Sequence, residues 1–138
     1  MRPRAAWVLV GLGVAFACRV LAQLVQWRAD VGFLPGFEQW QSGALPYGVL
    51  LASQFVILGL QARIIAAVAD GQLLLGRRVR VGVAAFAVVY VAVMAVRLML
   101  GLTVADGHGW FDAPLPSVFH LVLASFLIVW VRYEWRAG

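Results

Sequence analysis

The sequence predicts an all-α integral membrane protein, a four-helix transmembrane bundle running up and down with both termini cytoplasmic. Three observations carry this. Of the 138 residues, 64% are hydrophobic and only 12% charged, whereas soluble domains average about 45–50% apolar and about 25% charged. Four apolar stretches are long enough to cross a bilayer, which takes a helix of roughly 20 residues. The eleven basic residues are all arginine and gather mostly at one side of those stretches. With a mean hydropathy of +0.92, these features exclude a water-soluble enzyme, a disordered tail and a nucleic-acid-binding domain, although the pI is near 10.7.

The first span covers residues 5–27. A secretory signal is its rival, because Arg2 and Arg4 precede an apolar run that ends in Ala15-Phe16-Ala17, followed by Cys18. The apolar pattern continues past Arg19 to Trp27, beyond a normal signal core, and favours a span. The outer loop 28–46 mixes Phe33, Leu34, Phe37 and Trp40 with Glu38, Gln39 and Gln41. That mixture predicts a short amphipathic helix lying on the outer interface, placed to cover a pocket or to dock a partner. The second span covers 47–69, and the inner loop 70–80 holds Gly71, Gly76, Arg77, Arg78 and Arg80. Its arginines are expected to meet anionic headgroups. The third span covers 81–102, the outer loop 103–114 follows with Gly107, Gly109 and Pro114, and the fourth span covers 115–133. Gly and Pro collect in the loops, as helix ends require.

Arginine placement sets the expected orientation. Seven arginines (Arg2, Arg4, Arg77, Arg78, Arg80, Arg132, Arg136) flank one side, and only Arg28 lies in the loops of the other. Positive residues stay on the cytoplasmic side, so both termini are placed there, and the expected location is a bacterial inner membrane. Trp7, Trp130, Tyr133 and Trp135 mark one interface, and Trp27, Trp40, Tyr47 and Trp110 the other.

Polar groups inside a span are costly and therefore informative. Arg19, Gln23 and Gln26 recur at i, i+4 and i+7 and share one helical face, as do Tyr90, Met94 and Arg97. Gln54, with Ser53 beside it and Gln61 two turns on, marks the second span; Ser117 and His120 mark the fourth. At about 1.5 Å per residue, Arg97 and His120 sit about 7 Å below the outer ends, Gln54 about 10 Å and Arg19 about 12 Å. All four spans thus place polar groups in the outer half of the bilayer. The expectation is a pocket lined by Arg19, Gln23, Gln54, Arg97 and His120, with Asp112 and Trp110 at its mouth. Asp106 is a second acid able to reach Arg97.

Simpler readings compete at each residue. Arg97 is shallow enough to snorkel or to pair structurally with Asp112 or Asp106, and the glutamines can hydrogen-bond between helices. Arg63 reads as a snorkelling anchor. A bis-histidine haem would need a second His within the bilayer, and His108 sits in a loop. His108, His120, Asp106 and Asp112 match no zinc spacing. The single Cys18 reads as an inert packing residue. Gly11 and Gly13 read as a small-residue helix contact.

No cofactor is legible, and three function classes fit. The first is a protein whose outward-facing pocket binds an amphipathic anionic or quinone-like lipid ligand. The second is an accessory subunit of a larger, energy-transducing membrane complex, docking through the small residues Gly82, Ala84, Ala85, Ala87, Ala92 and Ala95 of the third span. The third is a membrane enzyme acting on a lipid or isoprenoid, for which the only acid–base pair on offer is His120 with Asp112 or Asp106. Membrane lipids are the expected partners throughout.

Overall fold

A computed structural model describes residues 2–40, 45–103 and 114–138. The described residues are helical apart from their connections. Four long helices, α1 (Arg2–Arg28), α2 (Tyr47–Ala69), α3 (Arg77–Thr103) and α4 (Pro114–Ala137), are joined by loops, the first of which holds a single 3-10 turn, Phe37–Trp40. All four are long and apolar enough to cross a membrane, which makes this a multi-pass membrane protein. At 27 residues, α1 and α3 are about 40 Å long, longer than a hydrocarbon core of about 30 Å.

The helices overrun the apolar windows at their charged ends. Arg77 to Arg80 belong to α3 and not to the preceding loop, and the Arg80 amide donates to Gly76 O at 2.9 Å. Hydropathy ends where arginine begins, but arginine is a good helix former, so the backbone ladder continues. The stop of α2 is sharper. Gly71 has φ 75°, the Gly71 amide donates to Val68 O and the Gln72 amide to Ala67 O. This is a Schellman ending, and the left-handed residue it needs is glycine.

Each helix buries a stripe. On α1 the stripe runs Leu9, Gly13, Phe16, Val20, Gln23 and Gln26, at steps of three and four. On α3 it is sparse, with only Arg80, Ala87 and Arg97 buried. Helix α4 is central. It packs extensively on α3 and on α1, α1 packs on α2, and α2 meets α4 only slightly. Among the described residues the α3 backbone does not come close to α1 or α2. The packing order is therefore α2, α1, α4, α3, and the bundle is open between α2 and α3. Burial against lipid supplies little drive for helix association, so close packing and polar links carry it. Gly13 shows the first: a Cβ there would stand 3.3 Å from Ile65 Cδ1, so the glycine lets α1 approach α2. Gly11 faces open space.

The polar link is Glu134, which is 0% exposed near the end of α4. Residues 72–76 have no regular structure and run beneath α4, connecting α2 to α3 on its far side. The Leu74 and Leu75 amides donate to the Glu134 carboxylate at 2.8 and 3.3 Å. Trp130 Nε1 donates to it at 3.2 Å, and Arg80 Nη2 lies 3.8 Å from it. Arg80 Nη2 also donates to Leu75 O at 3.2 Å. The expected headgroup role of the inner loop therefore does not extend to Arg80, which is buried as the counter-ion of Glu134. The apolar core of Leu9, Ile64, Val68, Phe126, Trp130 and Tyr133 lies at this same end.

Candidate functional site

At the opposite end, the loop after α1 turns back into the bundle. The 3-10 turn does not lie flat as the expected amphipathic helix; it drives Trp40 inward until it is 5% exposed. Trp40 Nε1 donates to Pro35 O at 2.8 Å, which closes the loop on itself. The Trp40 ring stacks on Phe119 of α4, centroids 6.3 Å apart. Trp40 O then accepts from Arg19 Nη2 at 2.8 Å. Arg19 stands nine residues, or about 13 Å, before the end of α1. Irregular backbone at such depth persists only where its carbonyls find donors, and Arg19 supplies one.

Arg19 is 7% exposed, and its guanidinium also lies over the Phe119 ring, 5.7 Å from the centroid. The partner that lets the cation stay buried is thus a backbone carbonyl and an aromatic face. Most of its five N–H groups have no acceptor among the described residues. Gln26 is not part of this group. Its side chain closes the end of α1, with Nε2 donating to Asp30 Oδ1 at 2.9 Å and Oε1 accepting from the Val31 amide at 3.1 Å.

Where α2 stands away from α4, a cavity of about 240 Å³ opens between α1, α2 and α4. Arg19, Gln54, Ser53 and His120 bring polar groups to its wall, and Phe16, Ile57, Phe119 and Leu123 make it apolar. Gln54 Nε2 donates to Gln23 Oε1 at 3.3 Å, so Gln23 holds Gln54 from behind and does not line the cavity. That arrangement leaves Gln54 Oε1 and Gln23 Nε2 buried without partners among the described residues. Two turns further along α2, both amide atoms of buried Gln61 are likewise without partners. Tyr90 of α3 hydrogen-bonds His120 Nδ1 across the α3–α4 contact. His120 Nε2 has no partner among the described residues.

Of the expected site residues, the structure brings Arg19, Gln54 and His120 to one cavity. Arg97 is buried on α3, off the cavity wall. Asp112, Trp110, Asp106 and His108 lie outside the described residues. Cys18 is exposed on α1 and is not the buried packing residue expected. Among the described residues no three metal-ligating side chains converge. Trp40 and Tyr90 become site-supporting residues only through tertiary contact. The signal that could have pointed to Tyr90 is its place two turns before Arg97 on the same stripe. Glu134 was the missed structural residue, and its signal is a lone acid at i+4 from Trp130 inside an apolar helix. No family model, curated protein or solved structure matches the chain.

Proposed function

We propose that this is a small multi-pass membrane protein whose cavity binds the oxygen-bearing head of an amphipathic ligand, anionic or quinone-like. The observation that supports it is the wall itself. A buried arginine with spare donors and a buried amide oxygen without a donor face one apolar space. Buried polar groups normally find partners, and here a ligand would complete them. An oxygen of the head accepts from Arg19, a hydroxyl donates to Gln54 Oε1, and His120 Nε2 bonds a second oxygen. The volume is below the roughly 300–1,000 Å³ of whole small-molecule sites. It therefore suits a ring or headgroup, with the tail leaving between α2 and α4. The asymmetry of seven arginines against one supports cytoplasmic termini and a cavity opening to the outside of a bacterial inner membrane.

The test is thermal melting of the purified chain in neutral detergent with a short-tailed benzoquinone and, separately, an alkyl phosphate. One of them should raise the melting temperature. Leu123→Trp fills the cavity without touching Arg19 and should abolish that shift. The reading fails if neither amphiphile stabilises the protein, or if the shift survives in Leu123→Trp.

A second reading, an accessory subunit, has one observation in its favour. The face of α3 turned from α4 carries Gly82, Ala85, Val89, Ala92 and Val96, all exposed at helical spacing. Small residues at such spacing permit close helix approach. Cysteine crosslinking from Ala92→Cys in native membranes should then give one discrete heteromeric product.

A further inference from the structure

At the end carrying the chain termini, residues of α1 and α4 line a groove of about 580 Å³. Three guanidiniums line it: Arg4 from α1, and Arg132 and Arg136 from α4. The last two are spaced i, i+4 and share a face. Among the described residues the only ion pair is Arg80 with Glu134. That carboxylate is wholly committed to the 72–76 segment and Arg80, so the three groove arginines have no carboxylate partner there. Tyr133 also lines the groove; it is 6% exposed, and its hydroxyl is buried without a hydrogen-bond partner. Val8 and Val129 make the floor apolar.

Arg132 and Arg136 face a second groove as well. On the other flank of α4, about 330 Å³ opens against α3, with walls of Ala84, Ala87, Val88 and Ile128. The two arginines thus form a ridge with an apolar channel on either side. A free anion would use the ridge and neither channel. A single detergent-like chain would use one channel and not the charge.

We infer that this end of the bundle is a seat for an anionic phospholipid, with its phosphodiester head held by Arg4, Arg132, Arg136 and the Tyr133 hydroxyl and its acyl chains in the two channels beside α4. Guanidinium forks match phosphate oxygens bidentately, and basic pockets between transmembrane helices select anionic headgroups. The seat is separate from the cavity at the other end and does not depend on the ligand proposed for it.

The full chain is purified in neutral detergent and equilibrated with phosphatidylglycerol, cardiolipin, phosphatidylcholine or inorganic phosphate. Native mass spectrometry then counts retained lipid, and melting follows stability. One anionic lipid should be retained per chain and raise the melting temperature, whereas phosphatidylcholine and inorganic phosphate should not. The pair Arg132→Gln with Arg136→Gln should weaken retention at least about 25-fold, through the loss of two charge-assisted guanidinium–phosphate contacts. The pair Arg77→Gln with Arg78→Gln removes the same charge from the same end, outside both grooves, and should retain lipid as the parent does. Tyr133→Phe should melt as the parent does without lipid and bind several-fold more weakly. Equal losses from the two arginine pairs would show diffuse attraction and overturn the seat. So would equal retention of phosphatidylcholine, or stabilisation by inorganic phosphate alone.

Discussion

The two ends of the bundle handle buried charge differently. Glu134 is met by two backbone amides, an indole N–H and a guanidinium. Arg19 is met by one carbonyl and one aromatic face. The first arrangement leaves the carboxylate nothing further to bind; its chemistry is consumed in holding the α2–α3 connection beneath α4. The second leaves donors over, beside an amide oxygen with no donor and a space to put a ligand in. A saturated buried charge is structure, and an unsaturated one beside a cavity is where a ligand has free energy to gain.

The largest expected effect breaks the saturated end. Glu134→Leu leaves Arg80 without its counter-ion and two amides and an indole without an acceptor. Removing one partner of such a buried pair costs about 3–5 kcal/mol. Reversible unfolding in mixed micelles should show that loss, with Glu134→Gln in between because its amide oxygen still accepts. A loss in Glu134→Leu below about 1 kcal/mol would mean that the 72–76 segment is held by its apolar side chains instead.

Arg19→Leu comes next. It orphans Trp40 O, a cost of about 1–3 kcal/mol, while relieving the burial of a cation, so the net loss should be smaller than for Glu134→Leu. It should also remove the amphiphile-dependent melting shift. A variant that loses stability yet keeps the full shift would assign Arg19 wholly to holding the turn.

Gly71→Ala places a Cβ on a left-handed residue, with φ 75°, and should destabilise by about 1 kcal/mol. Because Gly71 feeds the segment that Glu134 holds, its effect should shrink in a Glu134→Leu background. Strict additivity would uncouple the α2 stop from the Glu134 link.

Tyr90→Phe should have the smallest effect. Hydrogen bonds between membrane helices average about 0.6 kcal/mol, and the Tyr90–His120 bond joins helices that already pack extensively. Its informative readout is ligand binding. Freeing His120 Nδ1 lets the ring turn, so the melting shift should fall while the unliganded protein melts nearly as before.

Much of the frame is legible in the residues. The spans near 5–27, 47–69, 81–102 and 115–133 sit within helices observed at Arg2–Arg28, Tyr47–Ala69, Arg77–Thr103 and Pro114–Ala137. Hydropathy measures transfer into lipid, which is local, whereas helix ends follow backbone hydrogen bonding, which ignores charge; the misses are therefore at Arg77–Arg80 and past Tyr133. Helical periodicity placed Arg19, Gln23 and Gln26 on one face. The burial of Arg19, Gln23, Gln54 and Arg97 follows from the cost of polar groups in lipid.

What periodicity cannot express is which faces meet. A stripe gives an angle around one helix axis and says nothing of the neighbour's identity. Spans two and three are adjacent in sequence and apart in space, because a carboxylate sixty residues on from Leu74 draws their connection under α4. That same displacement leaves α3 on one flank of α4 and lets α2 stand off the other, which opens the cavity. So composition, hydropathy and spacing by themselves determined four membrane-crossing helices and the polar residues they must hide, since those depend on the cost of each group in lipid. Only the tertiary structure decided that Glu134 would be saturated and Arg19 would not, because saturation depends on what distant backbone arrives beside the charge.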